Sequence, residues 1–136
     1  MTGRTASIEA PCACGSTAVR QVNQFVLNDE LWWDSEFSCE ACGRYMCEHA
    51  GPGAAPDGVR EALLAAHGPV RLRPAGPLPS AVAAMKVFRE VSAASLSRAR
   101  ELVEELRRDG LVGTAAEMEL LASRLTRRGV PVEVGR

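Results

Sequence analysis

Four of the five cysteines in this chain fall in two short pairs, Cys12-Ala13-Cys14 and Cys39-Glu40-Ala41-Cys42, separated by 24 residues. Each pair runs directly into a glycine, Gly15 and Gly43. A tight turn that folds backbone around sulfur needs the conformational freedom of glycine at that point. Two such turns facing each other let four thiolates converge on one ion, the donor set and geometry that Zn2+ favours in structural sites. A closed shell of this kind leaves no coordination position for water or substrate, so the expected role is structural and not catalytic. The nearby Cys47-Glu48-His49 offers two substitutes, Cys47 or His49, for the fourth position in place of Cys12. The competing reading of the same residues is a set of free thiols in a small β module. Redox catalysis through Cys39 and Cys42 lacks the βαβ surroundings that thioredoxin-like motifs have.

The elements that must position these pairs are short and extended. Between them lie Ala18–Val22, Gln24–Leu27, Leu31–Trp33 and Glu36–Cys39, with Asn28-Asp29-Glu30 as a turn. A sparse hairpin hung on two cysteine turns has too small a core to fold alone, so metal binding would supply much of its folding free energy. Residues 1–50 are therefore read as a zinc-ribbon-like module. Trp32, Trp33, Phe37 and Tyr45 supply its miniature core or, alternatively, a stacking platform for single-stranded nucleic acid. Adjacent residues of a strand point to opposite faces, so one of Trp32 and Trp33 is expected in the core and the other free to anchor a partner.

The breaker cluster Gly51–Pro56 opens a linker over residues 51–69, with a short helix near 58–66 capped by Asp57. His67 sits where a helix ends and is read as a partner of its C-terminal dipole. From residue 70 the apolar periodicity is clean. Val70-Arg71-Leu72-Arg73 alternates as a half-buried strand. A helix capped by Ser80 runs to about Val91, with Val82, Met85, Phe88 and Val91 expected inward. A second helix spans about Leu96 to Arg108, with Leu96, Ala99, Leu102, Val103 and Leu106 on its apolar stripe and Arg100–Glu104 and Glu104–Arg108 paired on the wet side. Gly110 ends it and Leu111-Val112 forms a short strand. Thr114-Ala115-Ala116-Glu117 is a capping box for a third helix that buries Met118, Leu121, Ala122 and Leu125. A strand over Val130–Val134 closes the chain. The order β-α-α-β-α-β over residues 70–136 predicts an α+β fold of two layers, helices on one face of a small sheet.

Three stretches of this half, Val70–Gly76, Ala84–Val91 and Leu96–Glu104, resemble the C-terminal domain of the bacterial large-subunit ribosomal stalk protein. The likeness continues through Gly113 and Ala122–Val134, whose ending is Gly-x-x-Val-Glu-Val. Domains of that family recruit translational GTPases through an apolar and basic face of their first two helices. The resemblance places that face here on Val82, Met85, Lys86, Arg89 and Arg100. The family's helical dimerisation segment and hinge are absent, and a cysteine module stands in their place. Ala81 replaces a lysine of the family face, and its Gly-Leu-Gly-Leu turn becomes Ala93-Ala94-Ser95-Leu96.

Composition narrows the remaining classes. The 136 residues are 46% hydrophobic and 24% charged, with a net charge of −1. Nucleic-acid binders with a strong electrostatic component show a basic excess, which this total lacks. No apolar run approaches the roughly eighteen residues of a membrane span. The N-terminus leads into no apolar stretch, and cysteines used as metal ligands suit a reducing compartment, so a cytoplasmic location is expected. No phosphate-binding glycine loop, serine nucleophile motif or isolated carboxylate pair points to an enzyme. Together these features predict a zinc-binding adaptor that docks on a translation factor or similar machine. The alternative is a nucleic-acid-associated regulator that uses the cysteine module.

Overall fold

The computed structural model describes residues 4–136 and divides into two compact units between Gly68 and Pro69. The first unit is an antiparallel meander of four strands: β1 (Arg4–Pro11), β2 (Thr17–Leu27), β3 (Glu30–Ser38) and β4 (Tyr45–Pro52). It is larger than the sparse hairpin read from the sequence. β2 runs unbroken across the two segments expected there, and β1 and β4 add a strand on either edge. β2 and β3 are joined by Asn28 and Asp29, both at positive φ (50° and 64°), the backbone of the tight hairpin turns that match strand twist.

In a meander, alternate connections lie at the same end of the sheet. The β1–β2 and β3–β4 turns, which carry the two cysteine pairs, are therefore neighbours. Register sets which side chains share a face. Ala6↔Val22↔Ser35 and Gln24↔Trp33 lie on the inner face, and helix α1 (Asp57–His67) packs there. Val59 and Leu63 of α1 join Ala6, Val22 and Ala55 in one apolar cluster, against which Ile8 and Trp33 pack. The helix expected within a linker thus completes the first core. Its N-cap is Pro56, with Asp57 as the first helical residue and no side-chain cap bond. His67 Nε2 lies 2.6 Å from the Thr5 carbonyl oxygen, tying the last turn of α1 to β1.

The second unit follows the order β5 (Val70–Pro74), α2 (Ala81–Ser92), α3 (Leu96–Arg108), β6 (Leu111–Gly113), α4 (Ala115–Arg127) and β7 (Val132–Gly135). β5 is central in an antiparallel sheet of order β6-β5-β7. Val70 and Leu72 of β5 point into a core filled by Val87, Phe88, Val103, Leu106, Leu121 and Leu125. Each helix starts where a side chain satisfies an orphan backbone N–H. Ser80 accepts from Ala83 N and Ser95 from Arg98 N, both at 3.1 Å. Both arms of the Thr114–Glu117 capping box are made, at 3.2 and 2.9 Å.

The buried stripe of α2 is Ala84, Val87 and Phe88, with Val91 beside it, and Val82 is 61% exposed. Val82, expected inward, therefore lies on another face, whereas Phe88 is buried and Met85 and Val91 pack half-buried against the core as expected. Val82 lies two residues from the fully buried Ala84, a turn of about 200° around the helix, and so faces the opposite side. Leu96 is likewise outside the core, 51% exposed. Among the described residues, Arg98 of α3 pairs with Glu101 and Glu105, Arg107 with Glu104, and Arg108 with Asp109, in place of the Arg100–Glu104 and Glu104–Arg108 pairs. Several exposed partners at helical spacing compete there for gains of a few tenths of a kcal/mol each.

Candidate metal centre

Cys12 and Cys14 sit in the turn between β1 and β2. In this turn Cys12 N donates to the Ser16 carbonyl at 3.0 Å and Gly15 N to the Cys12 carbonyl at 2.9 Å. Cys39 and Cys42 sit in the turn between β3 and β4. There Cys39 N donates to Arg44 O at 2.9 Å and Gly43 N to Cys39 O at 2.8 Å. Gly15 and Gly43 both have positive φ, 95° and 76°. These loops wrap their own backbone around the sulfurs in the way the sequence requires of residues following each pair.

The four Sγ atoms lie within 4.8 Å of one another. Cys12 Sγ to Cys42 Sγ and Cys14 Sγ to Cys39 Sγ are both 3.7 Å, too long for disulfides, and all four are free thiols. A tetrahedron of sulfurs about 2.3 Å from a central ion has edges of about 3.8 Å. Each turn contributes one buried sulfur, Cys12 or Cys39, and one exposed sulfur, Cys14 or Cys42. The buried pair packs with Ala10, Ala18 and Phe37 in a small apolar cluster beneath the site. The donor set and spacing fit a four-coordinate thiolate metal site.

The electrostatics favour a cation. Cys14 is pushed down to about 6, chiefly by the backbone N–H of Ser16 and then by the Cys12 and Cys39 thiols. Cys12 is pushed up to about 11. The backbone N–H of Cys14, the largest single influence, lowers it, but burial and hydrogen bonds with Cys14, Cys42 and Cys39 together outweigh that pull. Sulfurs this close cannot all ionise without a positive charge among them, so metal uptake must expel protons.

Cys47 and His49, the substitutes weighed for the fourth position, lie along β4 outside the converging group. Cys47 is exposed opposite Glu36, and the His49 ring is 6.2 Å from that of Trp33. The two tryptophans take opposite faces of β3. Trp33 packs with the inner cluster under α1. Trp32 lies on the outer face, opposite Phe25, with its indole nitrogen buried and without a hydrogen-bond partner. Asp34 and Glu36 alternate with Trp32 on that face, and Glu9 points the same way from β1.

In the second unit, Val82, Met85, Lys86 and Arg89 form one stripe at i, i+3, i+4 and i+7 on α2. Met85 is half-buried and the other three are exposed. Lys86 and Arg89 border a shallow depression that Glu90, Ala93 and Ala94 complete. Arg100 is exposed on α3. One basic feature escaped the sequence reading: Arg71 and Arg73 of β5 share a groove with Arg107 and Arg108, thirty-odd residues away. Alternation along β5 signalled two outward arginines, but nothing in the sequence tells that the end of α3 lies beside them. Among the described residues no helix is long and apolar enough to cross a membrane. Comparison with known protein families, with characterised proteins and with solved structures gives no match to this chain.

Proposed function

We propose that this chain is a non-catalytic adaptor whose first unit is stapled by a structural Zn2+ and whose second unit docks on a protein partner. The observation that carries the reading is the convergence of four cysteine sulfurs within 4.8 Å of one another, two of the separations being 3.7 Å. Zn2+ suits this set because it prefers four thiolates in a tetrahedron and has no redox chemistry of its own. A shell complete in sulfur gives an ion nothing to activate, which favours a structural over a catalytic role.

The docking reading rests on the outward stripe of α2. Val82 is 61% exposed beside Lys86 and Arg89, on the face of α2 turned away from the core, which is usually the polar one. An apolar strip bordered by cations suits an amphipathic, acidic partner surface. The resemblance to the ribosomal stalk domain names the class, a translational GTPase, as the partner to test first.

Two measurements test the two halves. Protein purified without added metal should hold one zinc per chain, and Co2+ substitution should give the absorption of a four-thiolate site; absence of metal would overturn the staple. Binding of purified elongation-type GTPases to the full chain should weaken at least tenfold in Lys86→Glu/Arg89→Glu. Unchanged binding, or none by the parent chain, would overturn the docking reading.

A further inference from the structure

The near-neutral total hides a division of charge. Residues 1–68 carry four Lys/Arg against nine Asp/Glu, whereas residues 69–136 carry twelve against eight. Four thiolates around one divalent cation add further negative charge to the first unit. The second unit, with its net charge of +4, gathers part of its excess in one place. An open groove of about 890 Å3 is bordered by Arg71 and Arg73 on one side and by Arg107 and Arg108 on the other, with Leu106 and Gly110 between.

Three of these guanidiniums are already oriented by the protein. Arg71 Nη1 donates to the Asp109 carbonyl, Arg107 Nη1 to Glu104 Oε1 at 3.0 Å, and Arg108 Nε to Asp109 Oδ2 at 2.8 Å. Each such bond uses one of five guanidinium N–H donors and holds the rest in a fixed direction. Part of the clustering has an internal reason, since cations are favourable at the C-terminal end of α3. That reason does not reach Arg73, on the strand. Arg73 is opposite Glu133 in register but makes no ion pair among the described residues, so its fork is available. Among the described residues Asp109 is the one carboxylate that lines the groove, and Arg108 engages it; Glu104, outside the groove, engages Arg107.

We propose that this groove binds phosphate, in a ligand that carries several phosphate groups in succession. A phosphate presents more oxygens and more charge than a carboxylate, and can draw donors from two or three guanidiniums together. Among the described residues no aromatic side chain borders the groove, so the contact is to phosphate and not to a stacked base. This assigns any nucleic-acid contact to the second unit. The acidic face around Trp32 repels a phosphate chain. The proposal is independent of the α2 stripe, which the groove residues do not include.

The experiment uses the full chain with two probes, inorganic tripolyphosphate and a labelled single-stranded oligonucleotide, at low and moderate salt. Amide shifts in the NMR spectrum of the unmodified protein should map to residues 71–78 and 106–110. Arg73→Glu and Arg107→Glu, checked for unchanged melting, should each weaken binding about tenfold or more. Binding of both probes in competition supports the site and identifies the repeated phosphate as the ligand. Binding of one alone supports it and identifies the source, a small polyphosphate or a nucleic-acid backbone. Failure of both probes, shifts elsewhere, affinity indifferent to both variants, or tighter binding of an oligoglutamate peptide would each overturn it.

Discussion

Arg20 on β2 grips Glu48 on β4 across the intervening strand, Nε to Oε1 at 2.6 Å and Nη2 to Oε2 at 3.0 Å. The contact exists because the β3–β4 register slips: Glu36 pairs with Cys47 but Ser35 with His49, leaving Glu48 as the extra residue of a bulge. A bulge re-aims the side chain it carries. Here it turns a carboxylate toward a guanidinium two strands away, fork to fork, and so ties the strand that leaves the first cysteine turn to the strand that leaves the second.

Replacing Glu48 with Gln should therefore destabilise the first unit by about 1 kcal/mol, the upper end for a partly exposed pair made bidentate. The Arg20 hydrogen bond holds the Glu48 carboxyl below its ordinary value. A depressed carboxylate contributes stability that is complete above its unfolded value, near 4.3, and disappears as pH falls through the lower folded value. Denaturation of the parent and Glu48→Gln proteins from pH 7 downward should show a gap that is constant to about pH 5 and closes in stronger acid. A gap that persists unchanged at pH 2 would mean the carboxylate is not its source.

The cysteine pairs were readable from spacing alone, because two turns with a fixed chemistry leave few ways to converge. The strands that carry them were only half readable. β1 offers Ala6, Ile8 and Ala10 as its apolar set, too small to stand out as a half-buried strand. Most of β4 is exposed and ends in Gly51-Pro52, so its strand character comes from pairing with β3 and not from its composition. In the second unit, boundaries followed from caps and glycines, which act locally. The facing of α2 followed only in part: Phe88 is buried and Met85 and Val91 pack beside it, but Val82 loses its place to Ala84 and Val87. The small Ala84, fully buried, is the position that tertiary packing selects.

The convergence of four sulfurs separates Cys47 from the other cysteines. Cys39→Ser should abolish stoichiometric metal binding and unfold the first unit, because a buried sulfur of the cluster is lost and the small core cannot compensate. Cys47→Ser, an exposed change on β4, should retain the metal and shift stability by no more than about 0.5 kcal/mol. Metal content with thermal melting of each variant decides it; loss of metal from Cys47→Ser would move that residue into the shell.

Ala93 ends α2 in the left-handed region, φ 51° and ψ 32°, a conformation that costs a residue with a Cβ about 1–2 kcal/mol. Glycine there removes the strain but adds freedom to the unfolded chain, worth roughly 0.5–1 kcal/mol in the other direction. Ala93→Gly should therefore stabilise the second unit by about 0.5–1 kcal/mol, read as a higher denaturant midpoint at unchanged slope. A lower midpoint would show that the methyl group of Ala93 contributes packing beyond what its strain removes.

Gly110 poses the opposite case. Its φ is +81°, and a Cβ built there would stand 2.6 Å from the Leu72 carbonyl oxygen, a backbone atom of the central strand that cannot swing away. Gly129 has nearly the same φ, +79°, yet a Cβ there meets nothing within 4 Å. The pair separates conformational strain from steric exclusion. Gly129→Ala should cost about 1 kcal/mol, the left-handed penalty alone. Gly110→Ala should cost at least about 2 kcal/mol more, since β5 must yield or the turn after α3 must open. The same turn sets the floor between Arg71 and Arg108, so a Gly110→Ala protein that still folds should also lose any phosphate affinity of the groove. Equal melting of the two variants would mean that the approach of this turn to β5 is not what fixes α3 against the sheet.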